Sequence, residues 1–250
     1  MFCNLLRIGG TGLTLLDMTE ASTLTQADAA GFAFASYEEL ERQMLAFMDV
    51  VPFVSANQQV VSARLIPILM ESCSLIDSIL RSNAGDEQKG SLKQFAARSR
   101  LGLDGSLSAL LVSPLQVLNP FRGWHETTPD WWRAYNRIKH DRIRSFDAAT
   151  YPIAVCALVA LHQVITRSRM FTTHLAKRGW VNEDDHVHMA ELASFELVGS
   201  GPPDIPIETR LVLSPLGDNF VDWEDGRWAF SKNVHFSRRV VNYIWEHEGW

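Results

Sequence analysis

The chain has 250 residues, of which 46% are hydrophobic and 21% are charged, and a formal net charge of −6. These values are typical of one large folded domain, or of one domain with an appendage, and they exclude a largely disordered chain. The negative charge also excludes a protein that coats nucleic acid or an anionic membrane by bulk charge.

The cysteine pattern and the longest apolar run indicate in which cellular compartment the protein is expected. The three cysteines have no spacing typical of a disulfide framework or a cysteine zinc site. Unpaired cysteines favour a protein of the reducing cytoplasm. The longest apolar run, residues 153–161, is about half of the ~20 residues that cross a bilayer. We therefore expect a cytoplasmic protein with no membrane partner.

Apolar residues recur at helical spacing through most of the first 170 residues. The pattern predicts helices over residues 36–51, 55–82, 91–100, 131–146 and 150–167. Ser36 and Glu39 have the form of a capping box at the start of the first helix. Pro67 is expected to kink the second helix, and Pro152 fits the first turn of the last.

Other segments have the composition of loops and strands. Residues 102–128 contain Gly, Pro and Ser throughout and predict a loop. Near the C-terminus, short β-type runs precede a predicted helix over residues 234–248, with Asp225 and Gly226 as the turn of a hairpin. These runs cover residues 195–198, 210–213, 220–223 and 228–230.

The predicted fold class is mainly α, a helical bundle with a small C-terminal appendix that contains β-structure. The bundle is expected over residues 35–180, after a flexible tail over residues 1–34. The appendix covers residues 181–250. It is acidic, because residues 182–225 contain eleven Asp or Glu and one basic residue.

Residues 133–144 (RAYNRIKHDRIR), named here the basic segment, carry a local charge of +4. Thr128 and Pro129 suit the N-cap and the first position of a helix that contains this segment. Seven residues make almost two helical turns, so Arg133 and His140 are predicted on one side of that helix, about 10 Å apart along its axis. The polar side chains predicted along this side, or beside it, are Arg133, Asn136, Arg137, Lys139, His140, Arg142 and Arg144. The side chains expected to anchor the helix are Trp131, Tyr135, Ile138 and Phe146.

Such a surface has the groups that act on a phosphodiester. Arginine donates forked hydrogen bonds to phosphate, and histidine exchanges a proton near neutral pH. If the substrate is RNA, its own 2′-OH can be the nucleophile, and no metal or other cofactor is required. Acid–base cleavage gains from two histidines, which a homodimer would supply. The alternatives are a surface that only binds phosphate or an acidic partner, and a basic helix face that is merely solvated.

The string WWRAYNRIKHDR, followed by a Phe, by Ala-Thr and by an Ala/Leu-rich helix, resembles the HEPN superfamily of helical-bundle proteins. Arg133 and His140 match the family's arginine and histidine at its longest gap, although Ala134 stands where a polar residue is usual, a role that Asn136 could take. The resemblance covers roughly residues 36–170. It implies that His140 is the acid–base residue and that Arg133 stabilises phosphate charge, in a cleft between two subunits.

The same resemblance implies a metal-independent endoribonuclease of a toxin–antitoxin or phage-defence system. RNA, a second copy of the chain and a cognate antitoxin protein would then be partners. HEPN proteins also include non-catalytic binding and scaffold proteins, and this class is the alternative function.

Three weaker candidates are set aside on their patterns. His186 and His188, within the acidic run EDDHVH, could share a strand face as metal ligands, but an exposed acidic loop explains the run better. Cys73 and Cys156 lie on apolar helix faces, where inert thiols are expected. His162 has the spacing of a core or interface residue.

Overall fold

The computed structural model describes residues 26–83, 94, 101, 103, 108–171, 174–175, 207–216, 221–224 and 227–230. The α-helices of these residues are α1 (Gln26–Met48), α2 (Leu65–Asn83), α3 (Asp130–His140) and α4 (Tyr151–Arg167). The strands are β1 (Ser108–Val112), β2 (Leu115–Leu118), β3 (Ile207–Glu208), β4 (Val212–Leu216), β5 (Val221–Glu224) and β6 (Arg227–Phe230). Short 3₁₀ helices cover Ser55–Asn57, Phe146–Ala148 and Arg169–Phe171. The described part is therefore mainly α, as predicted.

Helix α4 forms the centre of the core. Every residue from Ala157 to its end at Arg167 is buried, which is typical of a helix covered on all sides. Its main neighbour is α2, and α1, α3 and β4 also pack against it. At its first residue, the Tyr151 ring meets the edges of the Phe47 and Phe53 rings, with centroids 4.9 Å apart in both pairs.

The loop after α1 and the loop before α4 lie side by side at one end of the helices. The Tyr151 hydroxyl donates a hydrogen bond to the Val51 carbonyl at 2.8 Å. The Tyr151 backbone N–H donates to the Val60 carbonyl at 2.9 Å, and Val61 pairs with Thr150 in an isolated antiparallel bridge. Because α3 ends just before this region, the end of the basic segment lies at the same end of the bundle.

The strands form two antiparallel groups. One sheet has the order β2-β1-β4-β3, in which Leu110 pairs with Leu213 and Leu111 with Val212. The other group is the hairpin of β5 and β6. Since β4 packs on α4 as well as pairing with β1, residues 207–216 are part of the same packed body as the helices.

The helix boundaries differ from the sequence prediction in three places. Helix α1 begins ten residues before Ser36, so the predicted capping box is wrong and the last part of the predicted tail is helical. Helix α2 begins at Leu65, which places Pro67 in its first turn, where a proline breaks no helical hydrogen bond. Helix α3 ends at His140 instead of residue 146. Helix α4 matches its prediction, including Pro152 in the first turn.

The strands are partly as predicted. The loop predicted over residues 102–128 is wrong for β1 and β2, which flank Ser113 and Pro114 as a hairpin. The hairpin predicted around residues 225 and 226 is confirmed. The helices predicted over residues 91–100 and 234–248 and the run over residues 195–198 lie outside the described residues, except for Gln94. No helix in the described ranges has the length and apolar character needed to cross a membrane.

Candidate functional site

Helix α3 has one face in the core and the other in solvent. Its buried residues are Trp131, Ala134, Tyr135 and Ile138. The Trp131 indole N–H donates to the Pro120 carbonyl at 2.8 Å, and its ring meets the Phe121 ring edge-on. The burial of Trp131, Tyr135 and Ile138 confirms three of the four predicted anchors. The fourth, Phe146, is 54% exposed, so its predicted role as an anchor is wrong.

The start of α3 is shifted by one residue from the prediction. Pro129, not Thr128, is the N-cap residue, with extended ψ and no side-chain cap. The Pro129 carbonyl accepts the backbone N–H groups of Trp132 and Arg133 at 3.1 and 3.0 Å. Asp130 stands in the first turn, where its charge is favoured by the helix dipole.

The structure brings most of the predicted site residues together on the solvent side of α3. Arg133, Arg137, Lys139 and His140 are exposed, and Asn136 is half-buried. Their common placement follows from the buried stripe on the other face, which fixes the rotation of the helix.

Arg142 and Arg144 are also exposed, but they lie in the turn after α3. The expectation that Arg144 continues the helical face is therefore wrong. At Asp141 the backbone leaves the helical region, with φ −147° and ψ 80°, and its side chain accepts the N–H of Arg144 at 3.1 Å. This local bond replaces a helical one, a competition for which Asp is well suited.

Three arginines of the basic segment pair with acidic residues on the surface. Arg133 pairs with Asp130, Arg137 with Asp147 at 3.7 Å, and Arg144 with Asp141 at 3.8 Å. With these acids included, residues 130–147 carry a net charge of +2. Exposed pairs of this kind are worth about 1 kcal/mol or less, so a phosphate can displace the carboxylates.

Lys139 and His140, at the end of α3, differ in their contacts. The Lys139 ammonium lies 5.3 Å from the centroid of the Tyr135 ring, in a cation–π contact. His140 is the last residue of α3, and among the described residues no side chain forms a hydrogen bond or ion pair with it. Helix α3 thus contributes a single histidine to this surface.

Sequence reasoning missed a second polar group, named here the buried cluster: Tyr37, Glu41, His162, Thr209 and Ser214. The Glu41 carboxylate accepts the hydroxyl of Thr209 and the backbone N–H of Leu211, the latter at 2.9 Å. The Tyr37 ring lies against the His162 ring, with centroids 5.7 Å apart. His162 Nδ1 and Ser214 Oγ are hydrogen-bonded at 2.5 Å. The buried cluster therefore joins α1 and α4 to the segment over residues 207–216.

Burial sets the protonation of this cluster. Removal from water, and then the charge of Glu41, raise the pKa of Tyr37 well above its usual value. Burial alone lowers the pKa of His162 to about 3, so the imidazole is neutral at physiological pH. The prediction of a core histidine is confirmed. Glu41 stands one helical turn after Tyr37 on the same side of α1. An acidic residue on this apolar stripe was the sequence signal that could have indicated the buried cluster.

Among the described residues, the other candidates form no site. Cys73 is buried with its Sγ 4.0 Å from the Trp131 carbonyl, and burial raises the pKa of its thiol well above the usual value. It is the inert core thiol that the pattern predicts. Within the described ranges, no three His, Cys, Asp or Glu side chains are placed to hold a metal ion. His186 and His188 lie outside those ranges.

Comparison with known proteins gives no relative. No family model, no curated protein and no solved structure matches the chain. The likeness to the HEPN superfamily therefore depends on the sequence pattern around α3, and the function must be argued from the chemistry of the surface.

Proposed function

We propose that the protein acts on RNA, that the basic segment binds the RNA backbone, and that Arg133 and His140 support metal-independent cleavage in a homodimer. The observation that carries the proposal is the joint exposure of Arg133, Arg137, Lys139 and His140 on the solvent side of α3. Cationic donors and an imidazole on one helix are groups that can support phosphodiester cleavage by the 2′-OH.

The proposed reaction uses the chain's own side chains. The His140 imidazole takes the proton of the 2′-OH as that oxygen attacks the adjacent phosphorus. The bond from phosphorus to the 5′ oxygen breaks, and a 2′,3′-cyclic phosphate forms. The Arg133 guanidinium, released from Asp130, donates to the phosphate oxygens on which negative charge develops.

A second copy of the chain supplies the acid. The leaving 5′ oxygen needs a proton, and the basic segment of one chain contains one histidine. The imidazolium of His140 of a second copy would donate that proton. A role in a toxin–antitoxin or phage-defence system, with an antitoxin protein as partner, belongs to this proposal and is supported by the resemblance to HEPN proteins alone.

The test is incubation of purified protein with RNA in the presence of EDTA, followed by separation of the products. Wild type is expected to cleave and to leave cyclic phosphate ends. His140→Ala is expected to lower the rate by roughly 10²–10⁴-fold, the usual contribution of acid–base catalysis. His125→Ala is the matched control, because His125 is exposed in the loop before α3 and lies outside the basic segment.

A non-catalytic RNA- or phosphate-binding module is the second candidate. It is favoured by the pairing of Arg133 with Asp130 and by the absence, among the described residues, of a group that orients His140. Salt-sensitive RNA binding without cleavage, equal in wild type and His140→Ala, would support the module and contradict the enzyme.

A further inference from the structure

The turn after α3 exposes apolar side chains between arginines. Ile143 is 88% exposed and Phe146 is 54% exposed, and both stand among the few large apolar residues of the described chain that solvent reaches. Arg142 precedes Ile143, and Arg144 follows it, both exposed. We name residues 142–146 the apolar–basic turn.

Backbone hydrogen bonds and an ion pair define the conformation of this turn. Asp141 accepts the backbone N–H of Ser145 through its carbonyl at 3.0 Å. Phe146 then begins a 3₁₀ helix, in which the N–H of Ala149 donates to the Phe146 carbonyl at 3.2 Å. The pair between Arg137 and Asp147, at 3.7 Å, joins this 3₁₀ helix to the exposed side of α3. Phe146 is thereby held beside the basic segment.

The apolar and basic side chains of the turn together favour one class of binding partner. Burying a large apolar side chain is favourable, so the exposed Ile143 and Phe146 side chains on this turn favour a contact with an apolar surface. The flanking arginines favour a partner with negative charge. A strand with unpaired bases offers both, because flat apolar bases alternate with phosphates along it.

We propose that Phe146 stacks on an unpaired RNA base, that Ile143 contacts the same or the next base, and that Arg142 and Arg144 bind the adjacent phosphates. This inference rests on the RNA binding of the proposed function and is independent of cleavage. Bases inside a duplex are stacked on one another and paired, so their faces cannot reach Phe146. The site therefore favours single-stranded over double-stranded RNA.

The test measures binding of a fluorescent 12-nucleotide single strand and of its duplex in EDTA, with the non-cleaving His140→Ala protein as the background. Phe146→Ala is expected to weaken single-strand binding by about 5- to 100-fold, the range for loss of one stacked base, and to change duplex binding little. Phe146→Trp is expected to retain single-strand binding. Phe32→Ala is the matched control, since Phe32 is 64% exposed near the start of α1.

Other outcomes overturn the inference in distinguishable ways. The protein could bind the single strand and the duplex equally, with a dependence on Arg142 but not on Phe146. That result would support RNA binding by the basic segment and contradict base stacking on Phe146. A change in oligomeric state with Phe146→Ala, measured by light scattering, without a change in RNA binding would identify the turn as a surface between copies of the chain. If the His140→Ala background and the wild-type protein both bind neither RNA, the proposed function fails together with the base site.

Discussion

The basic segment and the buried cluster both contain ionisable side chains, but in opposite settings. In the basic segment, Arg133 and Arg144 pair with acids three residues away, and all these side chains face solvent. In the buried cluster, Glu41 bonds residues 168 and 170 positions later in the chain, and no water reaches His162. The first set is free to exchange its partners for a ligand, and the second holds distant segments together.

This contrast predicts different costs for similar substitutions. An unmade hydrogen bond in the interior costs the desolvation of the group left behind, whereas an exposed group returns to water. Substitutions in the buried cluster should therefore lower the free energy of unfolding, and substitutions of the exposed side chains of the basic segment should change RNA binding without changing stability.

Replacement of Glu41 by Ala is expected to have the largest effect on stability. It removes the acceptor of the Leu211 N–H and of the Thr209 hydroxyl, both inside the core. We expect a loss of about 2–4 kcal/mol in the free energy of unfolding, measured by urea denaturation. Glu39→Ala, two residues earlier on the exposed side of α1, should leave this free energy nearly unchanged. Equal effects of the two variants would contradict the structural role of the cluster.

The pH dependence of stability tests His162. Its pKa is about 3 in the folded protein and near 6.5 in the unfolded chain, so below pH 6.5 only the unfolded state takes up the proton. The contribution of His162 to the free energy of unfolding has its full value above pH 6.5. It falls by up to about 1.4 kcal/mol per pH unit as the pH drops toward 3.

The measurement compares wild type with His162→Gln, because the titration of carboxylates common to both proteins cancels in the difference. The difference in the free energy of unfolding, wild type minus variant, should decrease steadily between pH 6.5 and pH 5. A difference independent of pH would show that His162 titrates in the folded protein as it does in the unfolded chain.

Local signals in the sequence were enough for part of the fold. Pro152 marked the first turn of α4, and the apolar stripe fixed the buried face of α3. The hairpin β1–β2 was missed because Gly, Pro and Ser recur through residues 102–128, although apolar residues flank Ser113 and Pro114 on both sides. The end of α3 was missed because it depends on a side-chain bond of Asp141.

The candidate site shows the same limit. Periodicity placed Arg133, Arg137 and His140 on one exposed face, because a helix relates these positions directly. It could not find the contact of His162 with Ser214, which are 52 residues apart and meet only when β4 packs on α4. A periodic pattern defines which face of an element is buried, and the residue that covers that face depends on the whole fold.

The salt dependence of RNA binding tests the central claim most directly. Each phosphate contact made by a basic side chain adds about one unit to the slope of log K against log salt concentration. Arg137→Ala should lower the slope by about one, with the free energy of unfolding unchanged. Arg42→Ala removes an exposed arginine of α1 that is likewise paired with an acidic residue, Glu39, and it should leave the slope as in wild type. A wild-type slope near zero, or the same change in both variants, would contradict the claim that the basic segment binds RNA.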